Sequence, residues 1–315
     1  MAENTITGLI PEIYEALDIV SRELTGMIPS ATMNASSNTA AVGQAIRIDV
    51  EPAGNVSNIA PAMTVPDPTG QTSGFTDIII TKSRAAEFGF LGEDQKGLNT
   101  GAGYGTVRAN KIAQAIRAVT NEVETDLCGL QSTFSRAHGT AGTAPFGTAN
   151  DYTDASNVLK ILKDNGSPLQ DNQLVINTTA GVNLLGKQAA VADAGSDSIL
   201  RQGVLLDING MPIRESAQIV DQAAGGIAGA ATTNAAGYAV GANVLTLAAG
   251  GTGNVVAGDV VTFAGDTNKY VVASAVFAGV NPAAGDTITL AAPGLRVAMT
   301  AATKAITKIA ASSRN

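Results

Sequence analysis

The most regular hydrophobic pattern of the chain lies in residues 108–137, RANKIAQAIRAVTNEVETDLCGLQSTFSRA. Its large apolar residues are spaced by three and four, which at about 100° per residue places them on one stripe of a helix: Ile112, Ile116, Val119, Val123, Leu127, Leu130 and Phe134. The free energy gained by burying the stripe is smaller than the conformational entropy that the residues of the helix lose when they become ordered. We therefore expect the stripe to face a core, formed by a sheet.

The segments before this helix predict a helical arm and a long two-stranded loop. In residues 6–24 the apolar side chains Ile10, Ile13, Leu17, Val20 and Leu24 are again spaced by three and four, so an amphipathic helix is expected there. Residues 45–50 and 76–81 have the composition of strands and are expected to pair antiparallel. The segment between them, 51–75, is rich in proline and poor in apolar anchors, which favours a projecting arm over a packed loop.

The segments after the helix mix helices and strands. Residues 151–164 predict a helix capped by Asp151 or Thr153, and residues 173–177 predict a buried strand. A second helix should begin at Thr178 or Thr179 with Val182, Leu184 and Leu185 inward, and residues 202–216 read as strand, Asn-Gly turn, strand. This order indicates an α+β fold.

A third region is rich in glycine, alanine and threonine. Residues 222–241 have the composition of a flexible connector, and residues 244–295 contain four short strand patterns separated by glycine and proline turns. The triplet Ala-Gly-Asp occurs before two of these strands, at 257–259 and 284–286, which suggests a repeated turn geometry. We expect a small all-β module, followed by one further strand at 305–309.

Composition argues against several classes of function. The formal charge of -8 and the pI near 4.7 disfavour tight binding to nucleic acid, and no run of about 18 apolar residues predicts a membrane span. The chain has one cysteine, Cys128, and one histidine, His138, so zinc sites and a Ser-His-Asp triad are poorly supplied. We expect His138 to be solvated, Cys128 to be incidental, and the protein to have no catalytic site, metal or cofactor.

The order of these segments resembles the major capsid proteins of tailed phages with the Hong Kong 97-type capsid fold. The residues that carry the resemblance are the strand pair at 45–81, the long helix at 108–137 and the segment 200–216. Residues 256–265, VAGDVVTFAG, are similar to the inserted β-domain of coat proteins from certain short-tailed phages. Major capsid proteins often continue beyond the position that corresponds to Asn315.

The resemblance implies an α+β fold with an N-arm, an E-loop, a P-domain containing a spine helix, an A-domain and an added β-domain. The implied boundaries are 1–43 for the N-terminal arm, 44–100 for the E-loop and its base, 101–178 for the P-domain, 179–241 for the A-domain and connector, 242–297 for the inserted β-domain and 298–315 for a C-terminal strand.

The function implied is that of a self-assembling shell subunit, in hexamers and pentamers, made in the host cytoplasm and located in the virion capsid. The implied partners are further copies of the chain, a scaffolding protein, a portal, a decoration protein and, weakly, packaged DNA. The E-loop residues expected at subunit contacts are Arg47, Asp49, Asp77 and Lys82. The alternative is another self-assembling protein, of the tail-tube, surface-layer or adhesin-like type.

Overall fold

The computed structural model describes residues 25–33, 41–51, 73–87, 89, 92, 104–139, 143–148, 151–168, 170–187, 205, 207–219, 225, 227, 231–279 and 281–309. The chain divides into two compact units, one of Thr32–Gly101 and one that joins Met1–Ala31 to Ala102–Asn315. The predicted helix at 6–24 and the centre of the predicted arm, 52–72, lie outside the described residues.

The smaller unit contains a two-stranded antiparallel ribbon. Strand β1 (Ala45–Val50) pairs with β2 (Gly74–Ile79), so that Ala45 lies opposite Ile79 and Val50 lies opposite Gly74. The predicted pairing is confirmed, although β2 begins and ends two residues earlier than the expected 76–81. Most side chains of the ribbon are exposed, on each of its two faces.

The long helix α1 spans Tyr104–Gly129 and continues as a 3-10 turn at Leu130–Thr133. The expected limits of 108–137 were therefore wrong at both ends. Glycine at position 129 is a poor helix former, and the Thr133 hydroxyl donates to the carbonyl of Leu130 at 2.7 Å, which satisfies an acceptor that further helix would have used. Phe134 then has an extended backbone.

Two shorter helices pack against a parallel pair of strands. These elements are α2 (Thr153–Asp164), β3 (Leu174–Ile176), α3 (Thr178–Lys187) and β4 (Ile213–Glu215), and β3 pairs in parallel with β4. Their shared apolar core consists of Phe146, Ala155, Leu174, Ile176, Ala180, Leu184 and Met211. Helix followed by strand, as the sequence indicated, is confirmed here.

Three details of this layer differ from expectation. The side chain of Asn177, rather than that of a threonine, caps α3, because its Oδ1 accepts from the backbone N–H of Ala180 at 2.8 Å. Val182, expected inward, is 67% exposed. The Asn209-Gly210 turn is present, with Ile208 bridged to Met211, but the chain then leaves the hairpin and β4 pairs with β3 instead.

The third region forms a closed β-barrel. Its strands are β5 (Thr232–Thr233), β6 (Val244–Ala249), β7 (Val260–Phe263), β8 (Tyr270–Val276), β9 (Thr287–Leu290) and β10 (Ile306–Ile309), in the spatial order β10-β7-β8-β9-β6-β5. The two edges meet, since Thr233 N donates to Lys304 O and Ile306 N donates to Ala231 O, each at 2.9 Å. Closure leaves few unpaired strand edges.

The barrel is larger than the predicted β-module. Its interior includes Ile227 and Ala231, which were assigned to a flexible connector, and Ile306, which was assigned to a separate C-terminal strand. The expected limits of 242–297 were therefore too narrow. Alternation along the strands directs the remaining core residues inward, among them Leu245, Leu247, Val261, Phe263, Tyr270, Val272, Ile288 and Leu290.

The predicted repeat of turn geometry is confirmed. In both Ala-Gly-Asp turns the glycine has a positive φ, 89° at Gly258 and 92° at Gly285. Residues other than glycine rarely adopt such a backbone conformation. In both, the aspartate is buried and its Oδ2 accepts from a backbone N–H three residues earlier, at 2.9 Å from Val256 to Asp259 and 2.7 Å from Ala283 to Asp286. The carboxylate thus closes the turn that precedes each strand.

Candidate assembly surfaces

The β1–β2 ribbon has one uncharged apolar face and one face, named the polar face, on which charged side chains lie beside the exposed Phe75 and Ile79. Directly opposite residues of an antiparallel pair lie on the same face, so the pairs Ile46–Ile78, Ile48–Thr76 and Val50–Gly74 share one side and the pairs Ala45–Ile79, Arg47–Asp77 and Asp49–Phe75 share the other. The first side, which we name the apolar face, carries Ile46, Ile48, Val50 and Ile78 without a charge. Ile48, Val50 and Ile78 are exposed, although such side chains usually pack in a core.

The predicted contact residues lie mainly on the polar face. Arg47 Nε donates to Asp77 Oδ1 at 3.1 Å, and the Arg47 guanidinium lies 3.6 Å from the centre of the Phe75 ring. The Arg47 side chain remains 59% exposed beside these two partners, and Asp49 lies opposite Phe75. Lys82 follows the ribbon and lies outside both strands. A contact of these four residues with a second subunit stays a prediction.

The apolar face was missed by sequence reasoning that looked for charged contact residues. The signal was available, because Ile46, Ile48 and Val50 alternate with Arg47 and Asp49 in the sequence. Period-two alternation places all three on one side of a strand. A two-stranded ribbon is at best marginally stable in water, so this face requires something to cover it.

The apolar stripe of α1 does not lie on one buried surface of the subunit. Ile112 is buried and Ile116, Val119 and Leu127 are half-buried, but Val123, Leu130 and Phe134 are 44%, 49% and 54% exposed. The expectation that all seven stripe residues face a core of the same chain is therefore wrong for Val123, Leu130 and Phe134. The residues that are buried in their place include Ala113, Glu124 and Cys128 of α1 and Gln131 of the 3-10 turn.

Glu124 holds the chain segment that precedes the smaller unit. Its Oε1 accepts from the backbone N–H groups of Gly26 and Met27, both at 2.8 Å, and its Oε2 accepts from that of Ile28 at 2.9 Å. A side chain at Gly26 would meet Val175 Cγ1 at 2.6 Å and the Glu215 carbonyl oxygen at 2.9 Å. Residues 26–28, named here the arm root, are thus wedged between α1 and the β3–β4 pair.

The arm root keeps the carboxylate of Glu124 ionised although it is fully buried. Burial by itself would raise the pKa of Glu124, but the N–H groups of Met27, Ile28 and Gly26 and the hydroxyl of Ser216 lower it, and the net pKa is below the ordinary value of 4.5. The three donors in the arm root are backbone N–H groups, so these hydrogen bonds fix the path of the backbone and do not depend on the side chains of residues 26–28.

The other reactive side chains have structural surroundings. Cys128 lies outside the apolar stripe but is buried, and its Sγ lies 3.6 Å from Ser216 Oγ. Burial raises the pKa of the Cys128 thiol, and the nearby charge of Glu124 adds to this rise, so the thiol is a poor nucleophile. His138 is exposed, as expected, and its Nε2 lies 3.4 Å from Asp154 Oδ1.

Within the described residues we find no group of three metal-ligating side chains and no helix long and apolar enough to cross a membrane. A cleft of about 80 Å³ is lined by Arg136, Asn165, Arg296 and the 293–295 loop. Arg136 is occupied there by Asn268 Oδ1 at 3.1 Å and Asp164 Oδ2 at 3.2 Å.

Comparisons with known proteins find similarity to nine chains of solved structures. No family model matches the sequence, and no curated protein matches it. Among solved structures, a chain from Mycobacterium phage Che8 is similar with a TM-score of 0.47 at 15% identity, over 91% of this chain and 88% of that one.

Proposed function

We propose that this chain is a structural subunit that assembles with copies of itself, and that it is the major capsid protein of a tailed phage with the Hong Kong 97-type fold. It would enclose double-stranded DNA and would have no catalytic role. The observation that carries the proposal is the apolar face of the ribbon, Ile46, Ile48, Val50 and Ile78, which the described residues of its own unit leave largely exposed.

Ordinary monomers rarely expose such a face. An apolar face exposed to water is unfavourable, and covering it with a second surface gains about 25 cal/mol of free energy for each Å² of apolar area buried. The low charged content of 15% also suits repeated contacts between identical subunits, because few charges need to be desolvated. The order of ribbon, long helix, mixed layer and β-barrel along the chain agrees with the resemblance described above.

The test is a pair of variants on the two faces of β1. Ile48→Asp places a charge on the apolar face, whereas Ala45→Asp places the same charge at an exposed position on the polar face of the same strand. Both proteins would be examined by sedimentation velocity and negative-stain electron microscopy. We expect Ile48→Asp to stay as unassembled subunits with an unchanged circular dichroism spectrum, and Ala45→Asp to form the same particles as the parent. Particles from Ile48→Asp at parental yield would refute the role assigned to this face.

A further inference from the structure

The segment that follows α1 and its 3-10 turn pairs with the outside of the β-barrel. Residues 135–137, named here the strap, form an antiparallel bridge to β8 in which Arg136 lies opposite Tyr270. Two backbone hydrogen bonds flank this bridge: Val271 N to Ser135 O at 3.3 Å and Ala137 N to Lys269 O at 3.2 Å. Because Tyr270 also pairs with β7, the strap adds a short strand on the other side of β8.

The strap covers apolar side chains on the outer surface of the barrel. Val260, Val271 and Ala291 form a cluster separate from the barrel interior, and Ala137 of the strap and Ile309 pack against it. Each cluster residue is next in sequence to an interior residue, so alternation directs it outward. The three residues are nevertheless only 7%, 1% and 5% exposed. The strap therefore helps to bury an apolar patch of the barrel exterior.

The side chain of Arg136 connects the barrel to α2. Its side chain is 5% exposed, and Nη1 donates to Asn268 Oδ1 on the barrel at 3.1 Å. At the C-terminal end of α2, Nη2 donates to Asp164 Oδ2 at 3.2 Å and to Ile161 O at 3.4 Å. A shift of the barrel against α2 would break one of these charge-assisted bonds and leave a buried charge with fewer partners, which is unfavourable.

The groups around Arg136 are themselves held by hydrogen bonds. Asp266 Oδ1 accepts from Asn268 Nδ2 at 2.7 Å, and its Oδ2 accepts from the Tyr270 hydroxyl at 2.6 Å. On the side of α2, Asn165 Nδ2 donates to the Ser135 hydroxyl of the strap at 2.9 Å. Asn268 thus presents its carbonyl oxygen to Arg136 in a fixed orientation, and the strap has a second link to the end of α2.

Arg296 gives a comparison within the same site. It belongs to the barrel, and its Nη2 lies 3.9 Å from Asp164 Oδ1, with a side chain that is 46% exposed. Exposed ion pairs at such distances contribute little, because water and salt screen them. Arg136 and Arg296 therefore share one carboxylate, but only Arg136 approaches it within hydrogen-bond distance from a buried position.

We propose that Arg136 is a positioning residue that fixes the barrel against α2 and the end of α1, so that these elements move as one rigid body. The strap, and not the segment 222–241 whose composition predicts a flexible connector, then sets the orientation of the barrel. Any contact that the barrel makes has its direction set by α1. The proposal concerns the single chain and does not require assembly, so it stands or falls separately from the shell function.

Hydrogen exchange of dilute protein tests the strap residue by residue. Arg136→Gln should speed exchange at the amides of Ala137 and Val271 by about tenfold or more, because it removes hydrogen bonds of a charged group. The amide of Leu247, which donates to Asp286 O within the barrel at 2.8 Å, should keep its parental rate. The control is Arg296→Gln, which should leave all three rates unchanged.

Two results would overturn the proposal. Parental exchange at Ala137 and Val271 in Arg136→Gln would show that the strap does not need this side chain. An equal rise at Leu247 would show a general loss of stability in place of a loss of positioning. If Arg136→Gln does not fold, Asn268→Ala removes only the acceptor on the barrel, and the same pattern of rates is expected from it.

Spin labels test the rigid body directly. In a Cys128→Ser background, labels would be attached at Lys160→Cys on α2 and Val244→Cys on β6, both at exposed positions, and their separation measured by double electron–electron resonance. We expect one narrow distance in the parent and in Arg296→Gln, and loss of that narrow distance in Arg136→Gln or Asn268→Ala. A broad distribution in the parent, or a narrow one in every variant, would contradict the role given to Arg136.

Discussion

At the scale of single residues, Glu124 shows how a helix can bury a charge without an ionic partner. Three backbone N–H groups at 2.8 to 2.9 Å replace the water that burial removes. Hydrogen bonds to an ionised group are the stronger kind, worth about 1.5 to 3 kcal/mol each in favourable cases. Glu124 therefore ties the arm root to α1 as firmly as an apolar contact would.

Replacing Glu124 by Gln should destabilise the larger unit by about 2 to 3 kcal/mol. The glutamine side chain keeps one acceptor oxygen, but its NH2 group would face a backbone N–H donor of the arm root. The measurement is urea unfolding at pH 7, and the control is Asp207→Asn, at an exposed position of the same unit, with an expected loss below about 0.5 kcal/mol. Equal effects of the two substitutions would contradict the role given to Glu124.

The pH dependence of this difference has a defined sign. The folded pKa of Glu124 is lowered from its ordinary value of 4.5, so its contribution to stability is fully present above pH 4.5 and is lost as the pH falls through the folded value. The gap between parent and Glu124→Gln should thus narrow on acidification below pH 4.5. A gap that widens in acid would mean that folding raises the pKa of Glu124 instead of lowering it.

At the scale of elements, the sequence predicts the existence of α1 and of its apolar stripe but not the face that is packed. Periodicity registers side-chain hydrophobicity, and the buried face of α1 includes Glu124, which it counts as polar. The burial of Glu124 depends on residues distant in sequence, such as Gly26 and Ser216. The ribbon differs, because the alternation that defines its apolar face is local and could be read from the sequence.

Two positions on the apolar stripe of α1 predict different losses of stability when each is replaced by aspartate. Ile112→Asp places a carboxylate where the side chain is 4% exposed and should cost several kcal/mol. Val123→Asp, at a position 44% exposed, should cost less than about 1 kcal/mol in the unassembled subunit. Thermal unfolding of dilute protein measures both. A Val123→Asp subunit as unstable as Ile112→Asp would restore the original expectation that the whole stripe faces a core.

At the scale of the whole molecule, the β-barrel is the part whose strands were predicted best and whose limits were predicted worst. Each strand has its own local alternation, so four of them were found within a few residues. Closure depends on Ala231 and Thr233 meeting Lys304 and Ile306, some seventy positions apart, and no local pattern encodes such a contact. Low charge and high alanine content made residues 231–241 resemble a connector although they are part of the barrel.

Closure predicts that the barrel folds as a unit only when both of its edges are present. A fragment of residues 225–309 should show a β-type circular dichroism spectrum and one cooperative unfolding transition, with modest stability because small domains bury a limited share of their surface. The same fragment ending at residue 303 lacks β10 and should be unfolded. Equal stability of the two fragments would show that the contact of β10 with β7 and with residues 231–233 is dispensable.

The central claim is that copies of this chain build a closed shell. Negative-stain electron microscopy of the purified full chain at high concentration, alone and with a scaffolding protein, tests it most directly. We predict closed, round particles of uniform diameter, with rings of five and six subunits as their building blocks. Tubes or flat sheets would favour the tail-tube or surface-layer alternative, and subunits that remain monomeric under every condition would contradict the claim.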